Sequence, residues 1–203
     1  MNLISNVLYW ISTGLLVPVI VLLIFFFIRA IILIGGFFGE YLMMKKTSST
    51  LLDRIKNLTP ATVGEFSASL PQKPSSEAGA YARLLLDNRG NEAKRELLLS
   101  EYEIAVDKKL STPRMLTKMG PILGLMGTLI PMGPALVGLA TGDIASMAYN
   151  MQVAFATTVV GLVISAIGFI TQQVKERWYV KTLAMLEYLS RVINQSESRK
   201  AEI

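Results

Sequence analysis

The chain opens on a run in which polar positions nearly disappear. No charged side chain occurs from Met1 to Ile28, and Tyr9 to Ile28 is almost wholly apolar. About 20 such residues, at a rise of about 1.5 Å each, cross the hydrocarbon core of a bilayer, so this run predicts a membrane-spanning helix. It lacks the basic start, the short apolar core and the small-residue cleavage site of a secretory signal, and is expected to be retained. Two further uncharged stretches follow, 24 residues between Lys118 and Asp143 and 31 between Asp143 and Lys175. They predict a second and a third span joined as a hairpin around Asp143.

Between the first and second spans the pattern changes to that of a soluble chain. LLDRIKNL and EAGAYARLLLD repeat apolar residues at helical spacing, and Asn88 to Asn91 predicts a turn before another helical stretch. Thr59 to Ser76, rich in Pro, Ser, Thr and Gly, reads as a linker or loop. Beyond the third span, Trp178, Leu183, Leu186, Leu189 and Ile193 keep helical spacing, so the tail continues that helix. No segment alternates with the period of a strand. The expectation is an all-α protein with three transmembrane helices and helical cytoplasmic extensions. Its parts are the first span with its inner extension (1–39), a cytoplasmic helical segment (40–114), the second span (115–142), the third (143–174) and a C-terminal cytoplasmic helix (175–203).

Charge adds orientation. Of the 20 Lys and Arg, thirteen lie from Lys45 to Lys118, six from Lys175 to Lys200, one is Arg29, and none lies in the N-terminal tail or around Asp143. The positive-inside rule therefore places the N-terminus and the Asp143 turn outside and the C-terminus in the cytoplasm, with three spans making this self-consistent. The net charge of +5 and pI near 9.5 thus report topology rather than nucleic-acid binding. Arg29 falls at the inner end of the first span, where it is expected to snorkel to the headgroups while the helix continues below as a packing surface. With no Cys and no His, the chain has no thiol nucleophile, Cys/His zinc site or Ser-His-Asp triad. GEFSASL lacks the second Gly of a serine-nucleophile elbow. The chain is read as a non-enzyme without cofactor or metal.

The candidate chemistry lies in the hairpin. Gly120, Gly124, Gly127, Pro131, Pro134 and Gly138 alternate in steps of four and three along the second span. Asn150, Ala154, Thr158, Gly161, Ser165 and Gly168 recur in steps of four or three along the third, with Gln172 next in the series. Such stripes bring two helices close together, and close packing within the hairpin is one full explanation of them. The other is a hydrated pathway. Pro131 and Pro134 remove the helical donors for the carbonyls of Gly127 and Ile130, and Thr128, Thr157 and Thr158 add hydroxyls at similar depth. Each hydroxyl has its own plain alternative, a bond back to the preceding turn. The stretches between Lys118 and Asp143 and between Asp143 and Lys175 hold no Asp, Glu, Lys, Arg or His, so a carboxylate for a proton relay in the membrane has to come from a partner.

Gly120-Pro121-Ile122-Leu123-Gly124-Leu125-Met126-Gly127-Thr128 resembles the P-x-L-G-L-x-G-T signature of the MotA/TolQ/ExbB proton-channel family. Ala154-Phe155-Ala156-Thr157-Thr158-Val159-Val160-Gly161-Leu162 resembles its A-L-x-x-T-x-x-G-L signature. The resemblance covers residues 110 to 175, and the three-span topology is similar to the TolQ/ExbB branch. It implies an inner-membrane pentamer whose second and third spans line a central pore. That pore would hold the single-span helices of a dimeric ExbD/TolR-like partner, each with a membrane Asp, and proton flow through the Asp would drive motion of the partner. By motif position Thr128 and Thr158 match the pore threonines. Thr157, Gly124, Gly127, Pro131, Ala154, Gly161 and Ser165 are expected along the pathway, and Asn150 and Gln152 toward the partner. Val153 stands where ExbB-like members carry a Glu. A structural scaffold whose stripes only pack helices is the alternative.

Overall fold

The computed structural model describes residues 2–44, 49–71 and 76–201, and among them there is no strand. The elements in order are α1 (Asn2–Met43), α2 (Ser49–Lys56), α3 (Val63–Ser69), α4 (Glu77–Asp87), α5 (Glu92–Thr141) and α6 (Ile144–Ala201). The fold is all-α. Three helices are long and apolar enough to cross a membrane: Thr13–Leu42 within α1, α5 as a whole, and Ile144–Arg199 within α6. Backbone contacts divide the chain into two compact units, residues 1–35 with 111–172 and residues 36–110 with 173–203. The limits expected at 114 and 174 fall inside α5 and α6, which run on without a break.

In the first unit α1 packs on the hairpin of α5 and α6. Val19, Leu23, Phe26 and Ala30 of α1, three to four residues apart, form one stripe that buries Leu116, Leu123 and Ile130 of α5 and Ile164 of α6. The hairpin turn is only two residues long. Gly142 takes φ +75°, a left-handed value at which a side chain would be strained. Its N–H donates to the Leu139 carbonyl at 3.2 Å, and the Asp143 N–H donates to Gly138 at 2.8 Å, closing the C-terminus of α5 in a Schellman motif. The Asp143 carboxylate then accepts from the Ser146 N–H at 3.0 Å and caps α6. The one charged residue between the two spans is therefore accounted for by helix capping.

The second unit has an aqueous-type core. Ile55 of α2, Leu85 and Leu86 of α4, Leu98 and Tyr102 of α5, and Leu186, Leu189 and Ile193 of α6 form one buried cluster. Val63, Phe66 and Leu70 join it, so α3 forms inside the stretch read as a linker from 59 to 76. Two apolar residues one turn apart suffice to dock a helix of seven residues, and the surrounding polar composition masks them. Residues 72–75 of that stretch lie outside the described residues. The ends of α4 and α5 are capped by side chains: Ser76 accepts from Gly79 N–H at 3.2 Å and Asn91 from Lys94 N–H at 2.9 Å.

Charged groups also serve this unit. Arg95, 1% exposed, donates to the carbonyls of Asn88 and Arg89 at the end of α4 and lies 3.8 Å from Glu197 of α6. Glu40 near the end of α1 pairs with Lys175 at 2.5 Å and accepts from the Tyr179 hydroxyl at 2.9 Å. One turn away Phe37 stacks on Trp178, ring centroids 5.8 Å apart and planes 2° from parallel.

Candidate pore-lining faces of the helix hairpin

The small residues of α5 and α6 are spent on bringing the two backbones together. A Cβ placed on Gly161 would lie 2.5 Å from the Gly120 carbonyl oxygen and 2.9 Å from the Gly124 Cα, both backbone atoms with no room to yield. A Cβ on Gly127 would meet the Thr157 hydroxyl at 2.5 Å, and one on Gly168 the Thr117 nitrogen at 2.7 Å. Ser165 donates across the contact to the Thr117 carbonyl at 2.9 Å. This is the close approach that small residues permit in a bilayer, where lipid tails are as apolar as Leu and helices associate by contact rather than by escape from water.

Several positions expected along a pathway are accordingly occupied by the protomer itself. Gly124, Gly127, Pro131, Ala154, Thr157 and Gly161 are buried within the protomer. The reason for Thr157 is angular: at about 100° per residue it falls within roughly 20° of Ile164, on the side of α6 turned to the core. Its hydroxyl donates to the Val153 and Ala154 carbonyls at 3.1 and 2.9 Å. Ser165 is half-buried at the contact, Asn150 donates to the Ser146 carbonyl at 2.9 Å, and Gln152 is exposed.

Thr128 and Thr158 are placed differently. Thr128 lies about 140° around α5 from Leu123, and Thr158 about 120° around α6 from Ile164, so both turn away from the residues that receive α1. Both are half-buried. The Gly127–Thr157 contact sets them within about one turn of each other along the hairpin axis. Each hydroxyl is bonded into its own helix, Thr128 to the Leu125 carbonyl at 2.7 Å and Thr158 to Ala154 at 3.2 Å. A hydroxyl whose proton is committed in this way keeps its lone pairs, so what it offers outward is an acceptor.

Apolar side chains that belong to neither small-residue stripe flank these threonines. Leu125 is 59% exposed, Phe155 65% and Leu162 56%, and by helical position they share the side of the hairpin that carries Thr128 and Thr158. Their signal was present: they stand about a third of a turn from the small-residue stripe, which is where a face lies when the stripe itself is consumed by packing. The uncovered side of the hairpin is therefore a greasy surface with two hydroxyls and no charge. No group of acidic, His or Cys side chains suited to a metal occurs among the described residues.

A sequence model of the MotA/TolQ/ExbB proton channel family matches residues 73–187, more than half of the chain. The chain belongs to that family. No curated protein and no solved structure matches it. The family match takes in α4, all of α5 and most of α6, and so includes the entire hairpin, while α1, α2 and α3 lie before it. As a MotA/TolQ/ExbB family member with three helices of membrane length, the protein is a multi-pass membrane protein of a proton-channel family.

Proposed function

We propose that the chain is the channel-forming subunit of a proton-motive-force-driven motor in the inner membrane, with its N-terminus outside and its C-terminus in the cytoplasm. In this reading the subunit forms a homopentamer, with α5 and α6 around a central lumen and α1 toward lipid. The lumen holds a dimeric single-span partner similar to ExbD or TolR that carries a membrane Asp. The observation that supports it most is the side of the hairpin opposite α1, where Thr128 and Thr158 sit at similar depth on a charge-free surface. Gly124, Gly127, Pro131, Ala154, Thr157, Gly161 and Ser165 contribute as the joint between the two wall helices, and Asn150 and Gln152 lie toward its outer end.

The division of labour follows from charge. An ion in hydrocarbon costs at least several kcal/mol, and neither α5 nor α6 offers an Asp, Glu, Lys, Arg or His between Lys118 and Asp143 or between Asp143 and Lys175. The wall alone is closed to protons. A partner carboxyl crosses it in the neutral form, its O–H donating to the acceptor side of a threonine hydroxyl, and ionises where water reaches it. Thr128→Val and Thr158→Val keep shape and remove that acceptor, so they should leave assembly intact and abolish proton-dependent work. A pH-sensitive dye in proteoliposomes is the measurement, comparing the subunit alone, the complex, and the complex with the partner's Asp changed to Asn. Leak by the pure subunit as fast as by the complex would sink the proposal. The scaffold reading draws on the back-bonded hydroxyls and glycine packing; normal work by both valine variants would favour it.

A further inference from the structure

Three prolines fall within the uncharged stretch of α5, and the structure treats them differently. Pro121 takes the helical donor from the Thr117 carbonyl, and α6 supplies a substitute, the Ser165 hydroxyl donating to that oxygen at 2.9 Å. Pro131 and Pro134 take the donors from the carbonyls of Gly127 and Ile130, and among the described residues no side chain replaces them. The hydroxyls nearby are committed elsewhere: Thr128 to Leu125, Thr157 to Val153 and Ala154, Thr141 to Val137 and Gly138. α6 contains no proline and keeps every ladder donor at the same depth.

The two open gaps lie between two points at which α5 is tied closely to α6. A Cβ on Gly127 would meet the Thr157 hydroxyl at 2.5 Å, and one on Gly138 would lie 3.0 Å from the Asp143 carbonyl oxygen. Between them, a Cβ on Gly133 would meet nothing within 4 Å. This weakened length has a preferred direction of bending. A proline ring presses on the carbonyl four residues before it, so the helix opens on that side and bends toward the opposite one. The proline side is the one turned to α6 through Gly127 and to α1 through Ile130. Leu129, Met132 and Leu136 lie within about 50° of the opposite side, and they are 61%, 45% and 62% exposed.

We infer that residues 128–137 of α5 form a flexible bow, hinged by Pro131, Gly133 and Pro134, whose apolar ridge of Leu129, Met132 and Leu136 gates the outer half of the pathway. The gate rests on the channel reading above; the hinge does not. Bent toward the open side, the ridge fills the lumen and keeps water from the depth of Thr128 and Thr158. Straightened against α6, it withdraws and water from outside reaches that depth. α6 acts as the stiff post against which the bow moves, since none of its ladder donors is missing. Pro121, stapled by Ser165, leaves the inner half of the wall fixed, so the flexibility is confined to the outer half.

Hydrogen–deuterium exchange of the full chain in lipid nanodiscs reads the hinge. The amides between 132 and 138 should exchange at least about tenfold faster than those between 146 and 152, set at the same depth of α6 by the Gly127 and Gly138 contacts. Pro131→Ala with Pro134→Ala returns both donors and should remove the difference. Gly133→Ala keeps both prolines and should slow exchange in the same segment by about threefold, so the hinge stays testable if the double variant does not fold. Water access reads the gate. The chain has no cysteine, so Leu125→Cys is a single site for a membrane-impermeant maleimide applied from the outer side. Its labelling should rise at least about fivefold when the two alanines hold the bow straight. Equal exchange in the two wild-type segments would overturn the hinge and the gate with it. Faster exchange with labelling unchanged by the alanines would overturn the gate. A wild-type complex that carries no protons in the dye measurement would remove the channel reading and the gate, while exchange alone would still decide the hinge.

Discussion

α5 and α6 hold together by two different means along their length. In the second unit they meet through Leu98, Tyr102, Leu186 and Leu189, bulky side chains filling a core with α2 and α4. In the first unit they meet through Gly120, Gly124, Gly127 and Gly161, with backbones almost in contact. The difference follows from the solvent. Where water is the alternative, burying a Leu contributes about 2 kcal/mol and size is favoured. Where lipid is the alternative, size contributes little and closeness contributes through dispersion and backbone contact. A large side chain stabilises the second unit and would wedge the first apart.

The sharpest way to break this contrast is to exchange the two kinds of residue. Gly161→Leu forces carbon into a space bounded by the Gly120 carbonyl and the Gly124 Cα, and should cost more than about 3 kcal/mol, seen as loss of folded protein on size-exclusion and thermal melting in detergent. Gly133→Ala, with nothing within 4 Å of its added Cβ, should cost nothing and raise stability by about 0.5–1 kcal/mol, the helix-propensity gain inside α5. Equal losses at both glycines would show that helix packing does not discriminate them.

The opposite change, Leu85→Ala, removes a fully buried side chain of the second unit and should cost about 3 kcal/mol. Limited proteolysis should then cut within 49–110 first, while a cross-link placed across the hairpin still forms. A smaller loss than that of Leu85→Ala belongs to the polar contact between the membrane helices. Ser165→Ala deletes the bond to the Thr117 carbonyl, and by the typical worth of such bonds in bilayers should cost about 0.6 kcal/mol. A loss as large as that of Leu85→Ala would mean that polar adhesion, and not closeness, holds the hairpin.

The three long helices were legible because charge is so costly in a bilayer that its absence over 24 or 31 residues has few other meanings. The α5–α6 turn was legible for the same reason, since Asp143 had to lie at an edge. Which surface the glycine stripe touches was not legible. Small residues mark close approach but carry no direction, and only the placement of Ile164 and Leu123 against α1 shows that Thr157 turns inward and Thr158 does not. Helix α3 was hidden by its composition, as only Val63 and Phe66 signal burial among Thr, Ser, Gly and Pro. Arg95 was hidden by its type, for an arginine between Lys94 and Glu96 reads as solvated surface. Its burial depends on the Asn88 and Arg89 carbonyls, which become acceptors only once α4 ends where it does.

The two-residue turn at Gly142 and Asp143 bears on how the protein is made. A span that emerges from the ribosome ahead of its partner would expose the Gly120–Gly138 stripe and the carbonyls freed by Pro131 and Pro134 to lipid with nothing to cover them. With so short a connection α6 is delivered beside α5 almost as soon as α5 is complete, and the glycine contact forms while both are still leaving the translocation machinery. A connection this short favours entry of the two helices into the bilayer as one object.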